Sequence, residues 1–169
     1  MPPFLSRLAA PFRGRQSPPV AAHDGGRGSR GQTAAARQGL WGESEAEKWL
    51  VREAGLKCIG RRVKVGRDEI DLVMEDRDAR GREIVFVEVK TRSSELFGGG
   101  RAAMDRRKRH ALCRAVARYM RRQPPTPFRI DLVEVYGRAG SGEAPRIEHQ
   151  RAAVPMELRY AAPALARRR

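Results

Sequence analysis

The chain is 169 residues long, 40% apolar and 33% charged, which suits one domain with a single core and polar ends. Its 35 Lys and Arg against 20 Asp and Glu give a formal net charge of +15, so an acidic partner is expected, nucleic acid first. Two cysteines exclude a disulfide scaffold and point to a reducing, cytoplasmic setting; no apolar run reaches the ~18 residues that cross a bilayer, so no membrane role is expected.

Residues 1–38 carry six Arg and one Asp among Pro, Gly, Ala and Ser, with no sustained period, and read as a disordered basic extension. Phe4, Leu5, Leu8 and Phe12 among its Arg residues have the makeup of an organelle presequence; a dispensable extension is the plainer alternative. Residues 39–154 hold the patterned part of the chain. The spacing of Ala46, Trp49, Leu50 and Ala54 predicts a helix over 40–55, stopped at Gly55. Glu43 lies on the same line, seven residues before Leu50. A strand with a bend at Gly60 is expected over 56–65. Alternation over 69–75 places Ile70, Leu72 and Met74 on one face and Glu69, Asp71, Val73 and Glu75 on the other.

The segment 83–91 predicts a central strand, with Val85, Val87 and Val89 on one face and Ile84, Phe86, Glu88 and Lys90 on the other. Gly98–Gly100 reads as a loop. A basic helix over 103–122 presents Leu112, Ala115, Val116, Tyr119 and Met120 to one side and ends at Pro124. A strand over 129–136, a short edge strand over 146–151 and a basic tail over 155–169 complete the series. The order of elements predicts an α/β fold, a mixed β-sheet flanked by helices.

Carboxylates at the end of an apolar strand are costly unless paired or bound to a cation. If the strands over 69–75 and 83–91 are neighbours, Asp71 and Glu88 converge. Two such charges at ~4 Å repel by about 4 kcal/mol at an effective dielectric near 20, and a divalent cation reverses the sign. Oxygen-only ligands suit Mg2+ or Mn2+ rather than Zn2+, and His23, His110 and His149 are too scattered for a zinc site. Such a cation polarises a phosphate and activates water, Lys90 neutralises the transition state or positions that water, and Glu43 adds a ligand from the helix side. Each residue has a plainer reading as well. Glu88 and Lys90 could be a cross-strand ion pair, Asp71 could pair with Arg92 or Lys64, and Glu43 could be a helix-start charge.

Glu69-Ile70-Asp71-Leu72-Val73 followed by Val85-Phe86-Val87-Glu88-Val89-Lys90-Thr91-Arg92 resembles the YraN family of small bacterial proteins. Gly42-Glu43, Ala46, Trp49 and Leu50, then Phe97-Gly98, Ala103, Lys108 and Leu112, then Arg129–Val133 and Ile147-Glu148-His149, extend the resemblance over residues 39–154. It implies a restriction-endonuclease-like core of the PD-(D/E)xK nuclease superfamily. It also implies Asp71 and Glu88 as metal ligands, Lys90 as the catalytic lysine, and Glu43 as the extra helix glutamate of Holliday-junction-resolvase-like members. The sequence departs from the family pattern at Asp68, where Gly is usual and a changed turn is expected, and at Arg62, where Asn is usual.

The function expected is metal-dependent hydrolysis of phosphodiester bonds in DNA, with branched or structured DNA as substrate. Arg106, Arg107, Lys108, Arg109 and Arg114 are the expected nucleic-acid contacts, and a homodimer would suit a symmetric junction. The alternative is a non-catalytic nucleic-acid-binding protein on a nuclease-derived fold, which the charge pattern predicts equally well. A protein-interaction adaptor is a third class.

Overall fold

The computed structural model describes residues 33–78, 81–92 and 104–160. The expectations for the first 32 residues, for Gly98–Gly100 and for the last nine residues lie outside these.

Helix α1 spans Ala34–Arg52 and begins at Thr33, whose side-chain oxygen accepts the Ala36 N–H at 3.1 Å. It starts six residues before the expected helix, so residues 34–38 belong to it rather than to the basic extension. The extra turns are held by a tertiary contact that carries no apolar signal: the Gln38 side-chain amide donates to Gly137 O at 2.7 Å and accepts from Ala139 N at 2.9 Å. Ala46 and Leu50 are buried, as the stripe predicts, and Gly55 sits past the helix end with φ +68°.

Five strands follow the expected order. They are β1 (Lys57–Val65), β2 (Asp68–Asp78), β3 (Gly81–Arg92), β4 (Phe128–Tyr136) and β5 (Arg146–Gln150). They lie side by side in sequence order, all neighbours antiparallel except β3 and β4, which are parallel. A parallel pair needs a long crossover, and helix α2 (Arg106–Met120) lies within it. The bend at Gly60 is a register shift between Cys58 and Gly60.

The helices cover opposite faces of this mixed sheet, the α/β arrangement expected of a restriction-endonuclease-like core. Under α2, Leu112, Cys113, Ala115 and Val116 pack on Val73, Ile84, Phe86 and Ile130. Under α1, Ala46 and Leu50 pack on Leu72, Met74, Val85, Val87, Val89, Val133 and Val135. Strand β3 therefore divides its side chains between the faces as its alternation predicts. Strand β2 does not. Leu72 and Met74 face α1, but Ile70 joins the α2 cluster with Val73, so the alternation slips around Asp71. Packing also runs past the expected boundary at residue 154: Met156 and Tyr160 lie against the α2 cluster, and the Val154 N–H donates to Ile130 O at 3.2 Å.

Candidate active site

The slip in β2 marks a fork in the sheet. Registered pairing of β2 with β3 stops at Leu72 and Val87. Beyond that point β2 stays with β1 as far as Asp68, while β3 stays with β4 as far as Arg92. The antiparallel ladder would next have offered a β2 carbonyl to Val89. Instead the Asp71 carboxylate accepts the Val89 N–H, with Oδ2 at 2.8 Å. Burial and the charge of Glu88 push the Asp71 carboxyl up to about 6, against the Val89 hydrogen bond that favours its ionised form. Neither alternative partner takes it: Lys64 pairs with Glu69, and Arg92 with Glu134 at 2.9 Å.

Glu88 is 2% exposed, and a charge that deep demands counter-ions. Two ammonium groups supply them. Lys90 Nζ lies 3.0 Å from Oε1, and Lys108 Nζ, from the first turn of α2, is in contact with the same oxygen. A Glu88–Lys90 ion pair is therefore present, within β3 rather than across strands, with a second lysine that the sequence did not connect to it. Oε1 thus meets both ammonium groups in a buried place. Burial holds Lys90 below its ordinary value. Burial opposes the charge of Lys108 too, but contact with Glu88 and its attraction outweigh this and hold Lys108 above the ordinary value.

Glu43 approaches the fork from α1. It can do so because Gly42 lets the helix lie on β3: a Cβ there would overlap the Thr91 side chain. Burial raises the Glu43 carboxyl and Arg62 pulls it back, with Glu69, Glu88 and Lys108 all within electrostatic reach. Arg62 stands 3.7 Å from Glu43 and 2.9 Å from Glu69, on a left-handed backbone (φ +46°) that is rare for a residue with a Cβ. Among the described residues no three Asp, Glu, His or Cys side chains come together as a metal-binding set. Asp71 lies within electrostatic reach of Glu88, and Glu43 stands beside them, 3.7 Å from Arg62. Two carboxylates still fit a Mg2+ or Mn2+ ion, which keeps several waters and commonly uses one or two carboxylates together with substrate phosphates.

The basic helix is less free than its composition suggests. Of the expected nucleic-acid contacts, Lys108 is held by Glu88, Arg109 lies 3.3 Å from Glu157, and Arg114 grips Asp68 with two bonds of 2.8 and 2.7 Å. Arg106 and Arg107 are exposed and make no ion pair among the described residues. Asp68 is thus a buried anchor for α2. The turn expected to change there is made two residues earlier, at Gly66, with φ +67°.

A second polar cluster lies on the α1 face, at the other ends of β2 and β3. Asp131, fully buried, accepts from Ala152 N at 2.8 Å and Arg129 Nε at 3.1 Å, and lies 2.9 Å from His149 Nε2. Arg129 also reaches Asp76 at 3.0 Å and touches Glu83. Burial works against the Asp131 charge, but these partners together hold its carboxyl below the usual range. Trp49 meets His149 edge-on, so the network ties α1, β4 and β5 together. The sequence hint is Arg129 and Asp131 at alternate positions of a strand whose one other charged residue is Glu134.

Fold and site together define a mixed α/β protein with two carboxylates and two lysines gathered at a strand fork. Residues 42–135 match the model of the uncharacterised protein family UPF0102, and the chain belongs to that family, bearing out the YraN resemblance. A UPF0102 protein of Beutenbergia cavernae is 41% identical over 115 residues, covering 67% of this chain and 92% of the relative. One from Methylibium petroleiphilum is 40% identical over 103 residues, covering 57% of this chain and 81% of the relative. One from Halorhodospira halophila is 39% identical over 101 residues, covering 60% and 78%. Among the described residues no helix is long and apolar enough to cross a membrane.

Proposed function

We propose that the protein is a metal-dependent nuclease that hydrolyses phosphodiester bonds in DNA, with branched or otherwise structured DNA as its substrate. The observation that carries this reading is the Asp71 carboxylate fixed on the Val89 N–H within electrostatic reach of the buried Glu88, with Lys90 3.0 Å from Glu88. Asp71 and Glu88 would hold Mg2+ or Mn2+, which when bound supplies Lewis-acid polarisation of the phosphate. The Val89 N–H fixes the Asp71 carboxylate in one orientation. Lys90 brings a positive charge on the same strand as Glu88, placed to neutralise a non-bridging phosphate oxygen or to orient the attacking water. Glu43 adds negative charge beside the pair and fixes Arg62 at the rim. Arg106 and Arg107 supply exposed charge for the DNA backbone, and a two-fold dimer would match a symmetric junction. The free cysteines, Cys58 and Cys113, suit a reducing, cytoplasmic setting.

The second reading, a non-catalytic nucleic-acid-binding protein, is favoured by one observation: Lys90 and Lys108 already neutralise Glu88 without a metal. One experiment separates the two. Labelled duplex, single-stranded, flapped and four-way-junction DNA are incubated with the protein in Mg2+, Mn2+ or EDTA. Cleavage that needs the metal and disappears in Asp71→Ala and Glu88→Ala supports the nuclease. Binding that survives both substitutions, with no cleavage of any substrate, supports the binder.

A further inference from the structure

We propose that Lys108 stands in for the divalent cation: without metal its ammonium fills the Glu88 Oε1 corner of the site, and cation entry releases it toward the DNA backbone. This deepens the nuclease reading and rests on it.

Asp71 and Glu88 bring two negative charges to the fork, Lys90 and Lys108 bring two positive ones, and Glu43 and Arg62 beside them offset each other. A dication added to that set leaves an excess of positive charge in a largely buried place, so one ammonium has to withdraw. Lys90 is the poor candidate. It lies two residues from Glu88 on a central strand, and its side chain is 26% exposed against 49% for Lys108. Lys108 is the third residue of α2, at the end of the helix where the macrodipole disfavours a cation. The first turn has no acidic residue, and the Asp105 carboxylate is spent on the Arg107 N–H. Among the described residues Glu88 is therefore the carboxylate in contact with Lys108, and Asp71 adds its attraction. Once displaced, its long stem returns the charge to solvent beside Arg106 and Arg107, on the same exposed turn.

The test is Mn2+ binding to the full chain, followed by electron paramagnetic resonance without DNA, for the wild type, Lys108→Met, Lys108→Gln and Lys108→Arg. Far-UV circular dichroism and a melting curve establish that each is folded. Both neutral variants should bind Mn2+ about tenfold more tightly, because a competing unit charge has gone, and Lys108→Arg should stay near the wild type. A lysine with a merely structural role would leave metal affinity unchanged or lower. That result in a folded neutral variant overturns the inference and, if the wild type takes up Mn2+, leaves the metal reading standing. No Mn2+ uptake by any of the four proteins overturns both.

Discussion

The Asp71 carboxylate accepts the Val89 backbone N–H at 2.8 Å, and in doing so takes the place of a strand. Where β2 leaves β3, a ladder donor would be stranded inside the sheet, and a side chain satisfies it. The same bond holds one carboxylate next to Glu88. The cost is visible in the raised Asp71 carboxyl, since burial and a neighbouring charge both oppose its ionisation.

Two substitutions at Asp71 should separate its structural role from its chemical one. Asp71→Ala leaves the Val89 N–H without its acceptor, and urea unfolding at pH 4, where the carboxyl is protonated and its charge does not oppose the fold, should show a loss of about 1–3 kcal/mol. Asp71→Asn keeps an oxygen for that bond and should lose less. Both should abolish metal-dependent cleavage. An Asp71→Asn protein that cleaves at the wild-type rate would remove Asp71 from the site.

The Asp71 titration gives stability a pH dependence. Its folded value is about 6 against 3.8 for the free side chain, so the folded chain holds this proton more tightly than the unfolded one. The group favours the fold fully below about pH 4 and withdraws that support as pH rises through 6. Urea denaturation from pH 4 to 7 should show the wild type losing up to about 3 kcal/mol relative to Asp71→Asn. Mn2+ uptake should run the other way and strengthen as pH rises through 6, because the metal takes the ionised carboxylate.

The Asp68–Arg114 pair anchors the middle of α2 to the start of β2. Arg114 hydrogen bonds hold the Asp68 carboxyl below its ordinary 3.8. Its contribution is therefore present above that value and lost as pH falls through the lower, folded one. Asp68→Ala and Arg114→Ala should each cost about 1–3 kcal/mol at pH 7. A double-mutant cycle should give a coupling near 1 kcal/mol that fades in acid. Coupling that persists unchanged at low pH would mean that packing rather than charge joins the two.

Arg106 and Arg107, exposed on the first turn of α2 and without an ion pair among the described residues, are placed to meet phosphates. Binding to a duplex measured at several salt concentrations should give a log–log slope reduced by about 0.9 for each of the two replaced by Gln. Arg114→Gln, already spent on Asp68, should leave that slope unchanged. Equal effects at all three positions would count against the division of labour seen in α2.

The local part of this architecture was open to reading from the chain alone. Alternation in β3 sets Val85, Val87 and Val89 against Ile84 and Phe86, and the structure buries them in the two separate clusters. The stripe of α1 and the apolar side of α2 were equally plain, because a helix or strand repeats its faces every few residues. Asp71, Glu88 and Lys90 stood out because carboxylates at the end of apolar strands need a reason to be there.

What the chain could not show by itself was how distant residues meet. Lys108 read as one of many surface cations until α2 set it on Glu88, and Asp68 read as a turn residue until Arg114 closed on it. Glu43 read as a third ligand, and the packing of α1 sets it beside the pair and 3.7 Å from Arg62. The slip in β2 was hidden for the same reason. Sequence periodicity reports which face a residue takes within its own element. Register between strands and the seating of helices are settled by packing and by buried hydrogen bonds between segments far apart in the chain, and the fork exists only at that level.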